Sequence, residues 1–406
     1  MRILVVTQYF WPENFKINDF VLGMTEFGHS ITVLTGKPNY PSGTFIKGYN
    51  FFNRRNEDFH GIKVIRAPLI SRGKGGGIRL MLNYFSFAFF ASFTAFFRIK
   101  GRYDVVFVYE PSPVTVGIPA IVLKKKFDIP VFFWVLDLWP DSVEIAGNVK
   151  NHQILELLNK LVISIYRHSD KIFISSRSFF DPVQKKNVAS DKIVYFPNWP
   201  EEIYLSAVTD TNKYSGLMPS GFKIMFAGNI GDSQDFESVL MAASLVFEYK
   251  NIHWIILGDG RRRTWLEAEV SRFGLNSNFH ILGNYPQNEM PDFFCHCDVM
   301  LVTLKKSVIF SLTVPAKVQS YMAFGKPVLG MLDGEGAAII EEANAGLTCK
   351  AGDYIKLAGN VKLLYSLDKS ELSAMGDNGR QYCAQNFNRK LLFRKFEEIY
   401  SDFSRK

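Results

Sequence analysis

Carboxylates and aromatic residues follow the apolar runs in the first half of the sequence. Residues 3–7 lead into Gln-Tyr-Phe-Trp-Pro-Glu-Asn, residues 105–109 into Glu-Pro-Ser-Pro, and residues 131–136 into Asp-Leu-Trp-Pro-Asp. Carboxylates accept hydrogen bonds from hydroxyls, and aromatic faces pack on C–H groups, so together they suit a sugar ring. Each carboxylate could equally cap a helix or make a surface contact. The candidates are Trp11, Glu13, Asn14, Glu110, Asp137, Trp139 and Asp141.

Glycine-rich loops in the second half could bind an anion. Residues 226–231, Phe-Ala-Gly-Asn-Ile-Gly, follow an apolar run, and residues 257–260, Leu-Gly-Asp-Gly, precede three arginines. Glycines let a phosphate approach the backbone, and a helix that follows offers free N–H groups. A structural turn or a solvated basic turn would have the same composition. The candidates are Gly228, Asn229, Gly231, Gly258 and Arg262.

Two further charged residues stand at predicted helix starts. Pro315 begins a helix with Lys317 in its first turn, where a cation is unfavourable for the helix dipole unless an anion binds. We therefore expect Lys317 to contact a ligand. Glu335, between two glycines, could bond ribose hydroxyls or cap the next helix.

Two parallel sheets would position these residues. Near-continuous apolar runs with helical stretches between them are typical of strands buried on both faces. Such strands are predicted at residues 3–7, 31–35, 63–67, 105–109, 131–136, 171–174 and 192–196, then at 223–227, 254–257, 279–282, 299–302 and 327–330. Pro197 and Pro200 mark a linker, and residues 371–404 a helical pair. We predict an α/β protein with two Rossmann-like, doubly wound parallel-sheet domains facing a cleft.

The composition fits a folded protein with a basic first half. The 406 residues are 47% hydrophobic and 21% charged, which excludes a disordered chain. The net charge is +8; residues 1–200 hold 25 basic and 15 acidic residues, and the remainder 22 and 24. A one-sided positive charge favours an anionic partner. Nucleic acid is disfavoured because the basic residues are not clustered on one helix.

Residues 80–97 form an uncharged, phenylalanine-rich stretch between Arg79 and Arg98. As a helix it would measure roughly 27 Å, slightly less than a bilayer core. Three structures remain open: a buried helix, a helix dipped into a membrane interface, and a transmembrane span. The basic flanks favour peripheral contact with an anionic membrane.

The cysteines and the N-terminal residues indicate the cellular compartment in which the protein is expected. Four cysteines are too few for a disulfide framework and suit a reducing cytosol. The Cys-His-Cys of residues 295–297 matches no zinc site, so no metal is expected. The first residues lack the features of a signal peptide and predict a buried strand.

The order of these motifs resembles the retaining glycosyltransferases of family 4, which have the GT-B fold. The likeness is greatest to the branch that builds bacterial O-antigen, capsule and colanic-acid polysaccharides, including N-acetyl-fucosamine transferase-like members. The matching segments are residues 8–14, 28–43, 137–142, 226–231, 257–262, 314–328 and 334–347.

The resemblance implies a division of labour between two domains. Residues 1–200 would bind the acceptor and residues 201–380 a nucleoside-diphosphate sugar. Helices at about 381–406 would pack back on the first domain. The sugar would be transferred with retained anomeric configuration, without a metal ion or other cofactor.

Four positions depart from the family pattern. They are Asn229, Gln234, Ser320 and Leu136, where many members have Arg, Lys, Glu and His. Diphosphate contacts would then shift to Lys317 and Arg262, and ribose contacts to Glu335 with Ser320 beside them. No catalytic His can be transferred to this chain.

The expected reaction is a front-face transfer. Lys317 would stabilise the diphosphate leaving group, and Asp137 or Glu110 would orient the acceptor hydroxyl. We expect a UDP-linked N-acetylated or deoxy hexose as donor and a polyprenyl-diphosphate-linked saccharide as acceptor. The expected location is cytoplasmic, peripheral on the inner face of the bacterial plasma membrane. Two alternatives are a UDP-sugar 2-epimerase and a non-catalytic partner that binds nucleotide sugar or lipid in a polysaccharide assembly complex.

Overall fold

The chain folds into two compact units, each built on its own sheet. The computed structural model describes residues 1–73, 76–145, 149–206 and 209–405. The first unit is Met1–Pro197 and the second is Asn198–Lys406. The division lies in the proline-containing segment that the sequence marks as a linker.

The first unit alternates strands with helices along most of its described length. Its strands are β1 (Arg2–Val6), β2 (Ser30–Thr35), β3 (Asn56–Phe59), β4 (Ile62–Arg66), β5 (Val105–Glu110), β6 (Val131–Val135), β7 (Lys171–Ile174) and β8 (Ile193–Tyr195). Its α-helices are α1 (Lys16–Glu26), α2 (Gly77–Phe97), α3 (Gly117–Phe127), α4 (Asp141–Ile145), α5 (His152–His168) and α6 (Phe180–Gln184). Short 3-10 turns cover Val114–Val116, Arg177–Phe179 and Ser190–Lys192.

The first sheet has the order β3-β4-β2-β1-β5-β6-β7-β8. All neighbouring pairs are parallel except β3 and β4. Residues Ile3 to Val6 are fully buried because helices cover both faces of this central strand. The strand order reverses between β1 and β5, so the loops after these strands flank the switch point where α/β sheets bind ligands.

The second unit repeats the plan. Its strands are β9 (Phe222–Ala227), β10 (Ile252–Leu257), β11 (Phe279–Gly283), β12 (Val299–Thr303), β13 (Val328–Met331) and β14 (Gly346–Cys349). Its α-helices are α7 (Glu202–Leu205), α8 (Phe236–Leu245), α9 (Arg263–Arg272), α10 (Met290–Phe294), α11 (Val308–Leu312), α12 (Ala316–Phe324), α13 (Glu335–Glu342), α14 (Tyr354–Ser366), α15 (Lys369–Asn386) and α16 (Arg389–Ser404). Two 3-10 turns lie at Ser215–Leu217 and Gln287–Glu289.

The second sheet is parallel throughout, in the order β11-β10-β9-β12-β13-β14. Successive residues of β9 face two different cores: Ile224 and Phe226 pack on one side and Met225 on the other. This explains why the strand is a continuous apolar run and not an alternating one. The switch point lies between β9 and β12.

The predicted strands are confirmed, most within one or two residues at each end, and so is the C-terminal helical pair. In the second unit, α15 packs tightly against α12. The space between them is small, since a Cβ added to Gly379 of α15 would lie 3.2 Å from Met322 of α12. Trp199 and Phe393 of α16 meet edge to face at 5.1 Å. The predicted return of residues 381–406 to the first domain stays a prediction.

By length and composition, α2 could cross a membrane. Its buried residues are Asn83, Phe87, Ala88, Ala91, Thr94 and Ala95, which lie toward α3 and the sheet.

Candidate functional site

Two glycine loops meet at the carboxyl edge of the second sheet. Gly228 follows β9 with a φ of 147°, and Gly258 follows β10 with a φ of 143°. A Cβ added to Gly258 would lie 1.9 Å from the carbonyl oxygen of Gly228, so no larger residue fits there. The loops are tied by a 2.9 Å hydrogen bond from the N–H of Gly228 to the carbonyl of Leu257. The result is a strip of bare backbone beside the switch point.

Lys317 lies directly over this strip. It belongs to the first turn of α12, as predicted, and an added Cβ on Gly228 would sit 2.9 Å from its Nζ. The ammonium donates to Gln234 Oε1 at 3.2 Å and lies 4.2 Å from the centre of the Phe226 ring. Burial lowers the pKa of Lys317 to about 8. A cation held this way, without a carboxylate partner among the residues described, is suited to receive a phosphate.

A cavity of about 310 Å³ opens at this place within the second unit. Four predicted donor-binding residues line it: Gly228, Gly258, Lys317 and Ser320. Its other lining residues include Glu201, Tyr204, Asn284, Tyr285, Phe294 and Tyr321. The cavity therefore combines a cation and bare backbone with a carboxylate and aromatic rings. These groups match a diphosphate, sugar hydroxyls and a planar base.

Glu201 and Tyr321 are site residues that the sequence analysis missed. Ser320 Oγ donates to Glu201 Oε2 at 3.2 Å, which holds this carboxylate at the cavity. The Tyr321 hydroxyl bonds both the N–H and the carbonyl of Ala227, at 2.9 and 3.0 Å, and so fixes the end of β9. Glu201 directly follows Pro200; treating this segment only as a linker hid the carboxylate.

The other predicted donor residues lie around the cavity and do not line it. Arg262 forms ion pairs with Asp232 and Glu237, and its guanidinium lies 3.7 Å from the centre of the Trp265 ring. The remaining residues are Asn229 and Gly231, which sit together in the loop after β9, and Glu335, the buried first residue of α13.

The loop after β9 differs from the prediction in one respect. Gly231 does not stand at a helix N-terminus, because α8 begins only at Phe236. Asp235 caps that helix by accepting from the N–H of Ser238 at 3.4 Å. The expected helix-dipole contact at residues 228–231 is therefore wrong, and the loop offers its own backbone instead.

In the first unit, Glu110 and Asp137 lie at the ends of the paired strands β5 and β6. Glu110 is fully buried, and neither carboxyl oxygen has a hydrogen-bond partner in the described part of the chain. Burial and the charge of Asp137 raise the pKa of Glu110 well above its usual range, which favours the protonated carboxyl. It is enclosed in this conformation and does not face an open surface.

Asp137 is more accessible and is oriented by its neighbours. Trp139 Nε1 donates to Asp137 Oδ2 and to Ser112 Oγ, each at 3.2 Å. Burial also raises the pKa of Asp137. Ser112 has a φ of 114°, a strained value for a non-glycine residue and one that often marks a functional site. Trp139 is itself buried, and Asp141 begins α4 close by.

Glu13, in the loop after β1, is buried and accepts hydrogen bonds from backbone N–H groups. Its carboxylate accepts from the N–H groups of Asn39 and Tyr40, both at 2.7 Å, and of Phe10 at 3.3 Å. Burial raises the pKa of Glu13 to about 7 in spite of these bonds. Its role here is to position the loop.

The neighbours of Glu13 in the loop are more open. Trp11 is partly exposed, with its ring centre 5.4 Å from that of Phe59, and Asn14 is exposed.

Arg72 is a further candidate that the sequence did not single out. Its Nη1 donates to the Tyr9 hydroxyl at 3.3 Å, and the guanidinium lies 5.1 Å from the centre of the Tyr40 ring. The structure gives Arg72 no carboxylate partner within the described ranges. Its place in the loop after β4, on the edge that carries residues 8–14, was the available signal.

We find no candidate metal site in the part of the chain that the structure describes. No group of three His, Cys, Asp or Glu side chains there could hold an ion. Metal independence stays a prediction.

Two family models match the chain, one for each unit. Residues 16–199 match the model described as Glycosyl transferase 4-like domain, and residues 221–366 the model described as Glycosyl transferases group 1. Together the two models span about four fifths of the chain. The chain therefore carries a Glycosyl transferase 4-like domain followed by a Glycosyl transferases group 1 domain. The resemblance derived from the motifs is confirmed at this level, while the branch and the linkage stay predictions.

Two proteins that are similar to this chain in sequence have names that describe glycosyltransferases. The glycosyltransferase WbjE of Pseudomonas aeruginosa, so named with the qualifier "probable", is 29% identical over 65% of this chain and 67% of its own. A protein of Escherichia coli K12, named "Putative colanic acid biosynthesis glycosyl transferase WcaI", is 25% identical over 80% of this chain and 82% of its own.

Solved structures share the fold at low identity. HepE of Anabaena, in complex with UDP-glucose, superposes with a TM-score of 0.70 at 12% identity over 99% of this chain and 100% of its own. WaaG, titled a glycosyltransferase involved in lipopolysaccharide biosynthesis, gives 0.68 at 13% over 98% and 99%. This likeness, with the two parallel-sheet units, shows the predicted GT-B fold.

Proposed function

We propose that this glycosyltransferase moves a sugar from a UDP-linked donor to a saccharide carried on polyprenyl diphosphate, with retained configuration. The product would be a precursor of a bacterial surface polysaccharide. One observation carries the proposal: Lys317 and two bare glycine loops converge on one cavity of the second unit.

The cavity supplies a complementary group for each part of the donor. The ammonium of Lys317 and the backbone at Gly228 would hold the diphosphate, Glu201 would accept from hydroxyls, and Tyr285 and Phe294 would pack on a flat ring. Bound UDP or UDP-glucose in the similar HepE structures supports a uridine nucleotide as the donor carrier.

Lys317 compensates for a charge that the family pattern leads one to expect elsewhere. Gln234 stands where many members have a lysine, and Lys317 Nζ lies 3.2 Å from its amide oxygen. A positive charge is thus present at this place, supplied by α12. This argues against a non-catalytic protein that has lost its diphosphate contacts.

Stabilisation of the departing diphosphate should make the largest contribution to lowering the activation barrier. Charge develops on the leaving oxygen in the transition state, and a pre-positioned cation lowers that barrier without reorganising. Lys317→Ala should therefore lower turnover on the order of 10²-fold or more. Lys350→Ala, which removes an exposed lysine of the same unit, should leave turnover unchanged.

The first unit would orient the acceptor. Asp137, held by Trp139, would orient and deprotonate the attacking hydroxyl, and Arg72 would meet the acceptor's diphosphate. The names of WcaI and WaaG, which refer to colanic acid and lipopolysaccharide synthesis, support a lipid-linked saccharide as the acceptor.

The test is a thermal-shift screen of nucleotide sugars followed by a transfer assay with the responding donor. A donor that binds the folded state raises its apparent stability. We expect one UDP-sugar, an N-acetylated or deoxy hexose, to stabilise wild type and not Lys317→Ala. Stabilisation of both proteins alike would contradict the assignment of the cavity.

Two other functions would give different products. A UDP-sugar 2-epimerase would convert the donor without any acceptor, and a non-catalytic partner would bind the donor and leave it unchanged. Incubating the purified chain with donor alone, then with donor and acceptor, separates all three.

A further inference from the structure

One side of α2 is an open aromatic surface. Its side chains are between 42% and 63% exposed and recur every three or four residues, so they lie along one stripe of the helix. They are Leu82, Phe85, Phe89, Phe93, Phe96 and Phe97. We call this stripe the aromatic face. Contiguous exposed apolar surface of this kind is rare unless something covers it.

The aromatic face is ordered by contacts among its own rings. The ring centres of Phe89 and Phe93 are 5.2 Å apart, and those of Phe93 and Phe97 are 5.8 Å apart. Phe96 and Phe97 meet edge to face at 4.9 Å. Binding would therefore order few additional side-chain rotamers.

The opposite side of α2 is locked into the first unit. Asn83 is buried, where it accepts from Gln8 Nε2 at 2.7 Å and donates to the carbonyl of Ile70 at 2.6 Å. Lys126 of α3 donates to the last carbonyls of the helix, including that of Phe96 at 2.5 Å. Spanning a bilayer would break these bonds and leave polar groups unpaired in hydrocarbon. The helix can meet a membrane only from its side.

Positive charge gathers beside the C-terminal end of the aromatic face. Within α2 the only charged residue is Arg79, and no acidic residue interrupts the stripe. Burial, followed by the nearby charge of Arg55, lowers the pKa of Arg98, and burial, followed by the charge of Lys100, lowers the pKa of Lys126. Each shift places one pair of these cations close together, Arg55 with Arg98 and Lys100 with Lys126, and Lys126 Nζ lies 5.9 Å from the centre of the Phe96 ring. Such a cluster would attract the phosphates of anionic lipid headgroups.

We propose that the aromatic face docks side-on into an anionic phospholipid bilayer, with the α2 axis in the membrane plane and the adjacent cations on headgroup phosphates. From Leu82 to Phe97 the stripe extends roughly 24 Å along the surface. Phenylalanine rings would enter the headgroup and upper acyl region, while the buried side keeps its bonds to the sheet. This inference goes beyond sugar transfer and needs neither donor nor acceptor.

The experiment is co-sedimentation of the full chain with vesicles of phosphatidylcholine containing about one third phosphatidylglycerol, without any saccharide lipid. Phe89→Ser with Phe93→Ser should weaken the partition coefficient by tenfold or more, because two inserted rings are lost. Ile154→Ser with Leu157→Ser, on the exposed side of α5, removes comparable apolar surface and should leave binding unchanged. Binding of wild type should also fall in high salt and on pure phosphatidylcholine.

Three results would overturn the proposal. The first is wild type that stays in the supernatant with the anionic vesicles. The second is binding that Phe89→Ser with Phe93→Ser leaves intact although the variant keeps its thermal unfolding midpoint. The third is self-association, measured by sedimentation velocity, that the same variant abolishes, since a second copy would then cover the face. Donor affinity, measured on the same samples, reports separately on the proposed function.

Discussion

Burial makes the charge of Lys317 sensitive to pH and to a bound anion. Desolvation alone lowers the pKa of Lys317 to about 8, because the ammonium is held against a ring and an amide rather than a carboxylate. A bound diphosphate would favour the charged form and raise the pKa again.

The first prediction is a pH dependence of donor binding. Since only protonated Lys317 attracts the diphosphate, UDP affinity should fall as pH rises through about 8, by roughly tenfold between pH 7 and pH 9. Isothermal titration of UDP across this range measures it. Lys317→Ala should bind more weakly with a flat profile; a parallel fall in both proteins would assign the effect to another group.

Glu13 gives a second prediction, on stability. Its pKa is raised from 4.5 to about 7 in the folded state, so the folded protein holds a proton that the unfolded chain releases. Stability should therefore decrease as pH rises through this window. Wild type should lose about 3 kcal/mol more than Glu13→Gln between pH 4.5 and 8, because the amide keeps the acceptor oxygen without ionising. Urea unfolding at both pH values tests this, and parallel losses in the two proteins would count against it.

Residue types predicted the site only in part. Lys317 and the two glycines were found because spacing marks strand ends and helix starts, whereas Ser320 was found only through the family resemblance. The enclosure of Glu110 was not predictable, since burial depends on residues far along the chain. Nor was the pairing of Arg262 with Glu237, which occupies a guanidinium that the sequence offered to the ligand.

At the scale of elements, the glycine loops depend on conformations that other residues resist. Gly258→Ala would place a Cβ 1.9 Å from the Gly228 carbonyl at a φ of 143°. We expect a destabilisation of about 2 kcal/mol or more, with loss of donor binding, because the loops must separate. Gly359→Ala in α14 meets open space and should stabilise by about 0.5–1 kcal/mol. Chemical denaturation of both variants measures the contrast; equal effects would mean that the loops tolerate a side chain.

Sequence patterns are sufficient to predict some of the strands and not others. Buried parallel strands were predicted because their apolar runs are continuous. Strand β3 was missed: Asn-Glu-Asp-Phe carries no apolar run and pairs only at the antiparallel edge. Strand β14 was missed because Gly-Leu-Thr-Cys is short, and tertiary pairing with β13 decides its state. The late start of α8 reflects the Asp235 cap, which an expectation built on Gly-x-x-Gly overlooked.

In the whole molecule, we expect the second unit to bind the donor and the first unit to activate the acceptor. Asp137→Asn should lower turnover by about 10²-fold, as expected for loss of a general base, and leave UDP affinity within about twofold. Lys317→Ala should weaken both. Asp191→Asn, at an exposed aspartate of the first unit, serves as the control. Steady-state kinetics with UDP titrations give both quantities; a large loss of UDP affinity in Asp137→Asn would refute the separation.

Sugar transfer with retained configuration is tested by mass spectrometry and NMR of the lipid-linked saccharide after incubation with the purified chain and the UDP-sugar selected by thermal shift. We expect one added sugar residue with the donor's anomeric configuration, formed by wild type and at least about 10²-fold more slowly by Lys317→Ala. An unchanged acceptor beside bound or epimerised donor, or a product of inverted configuration, would contradict it.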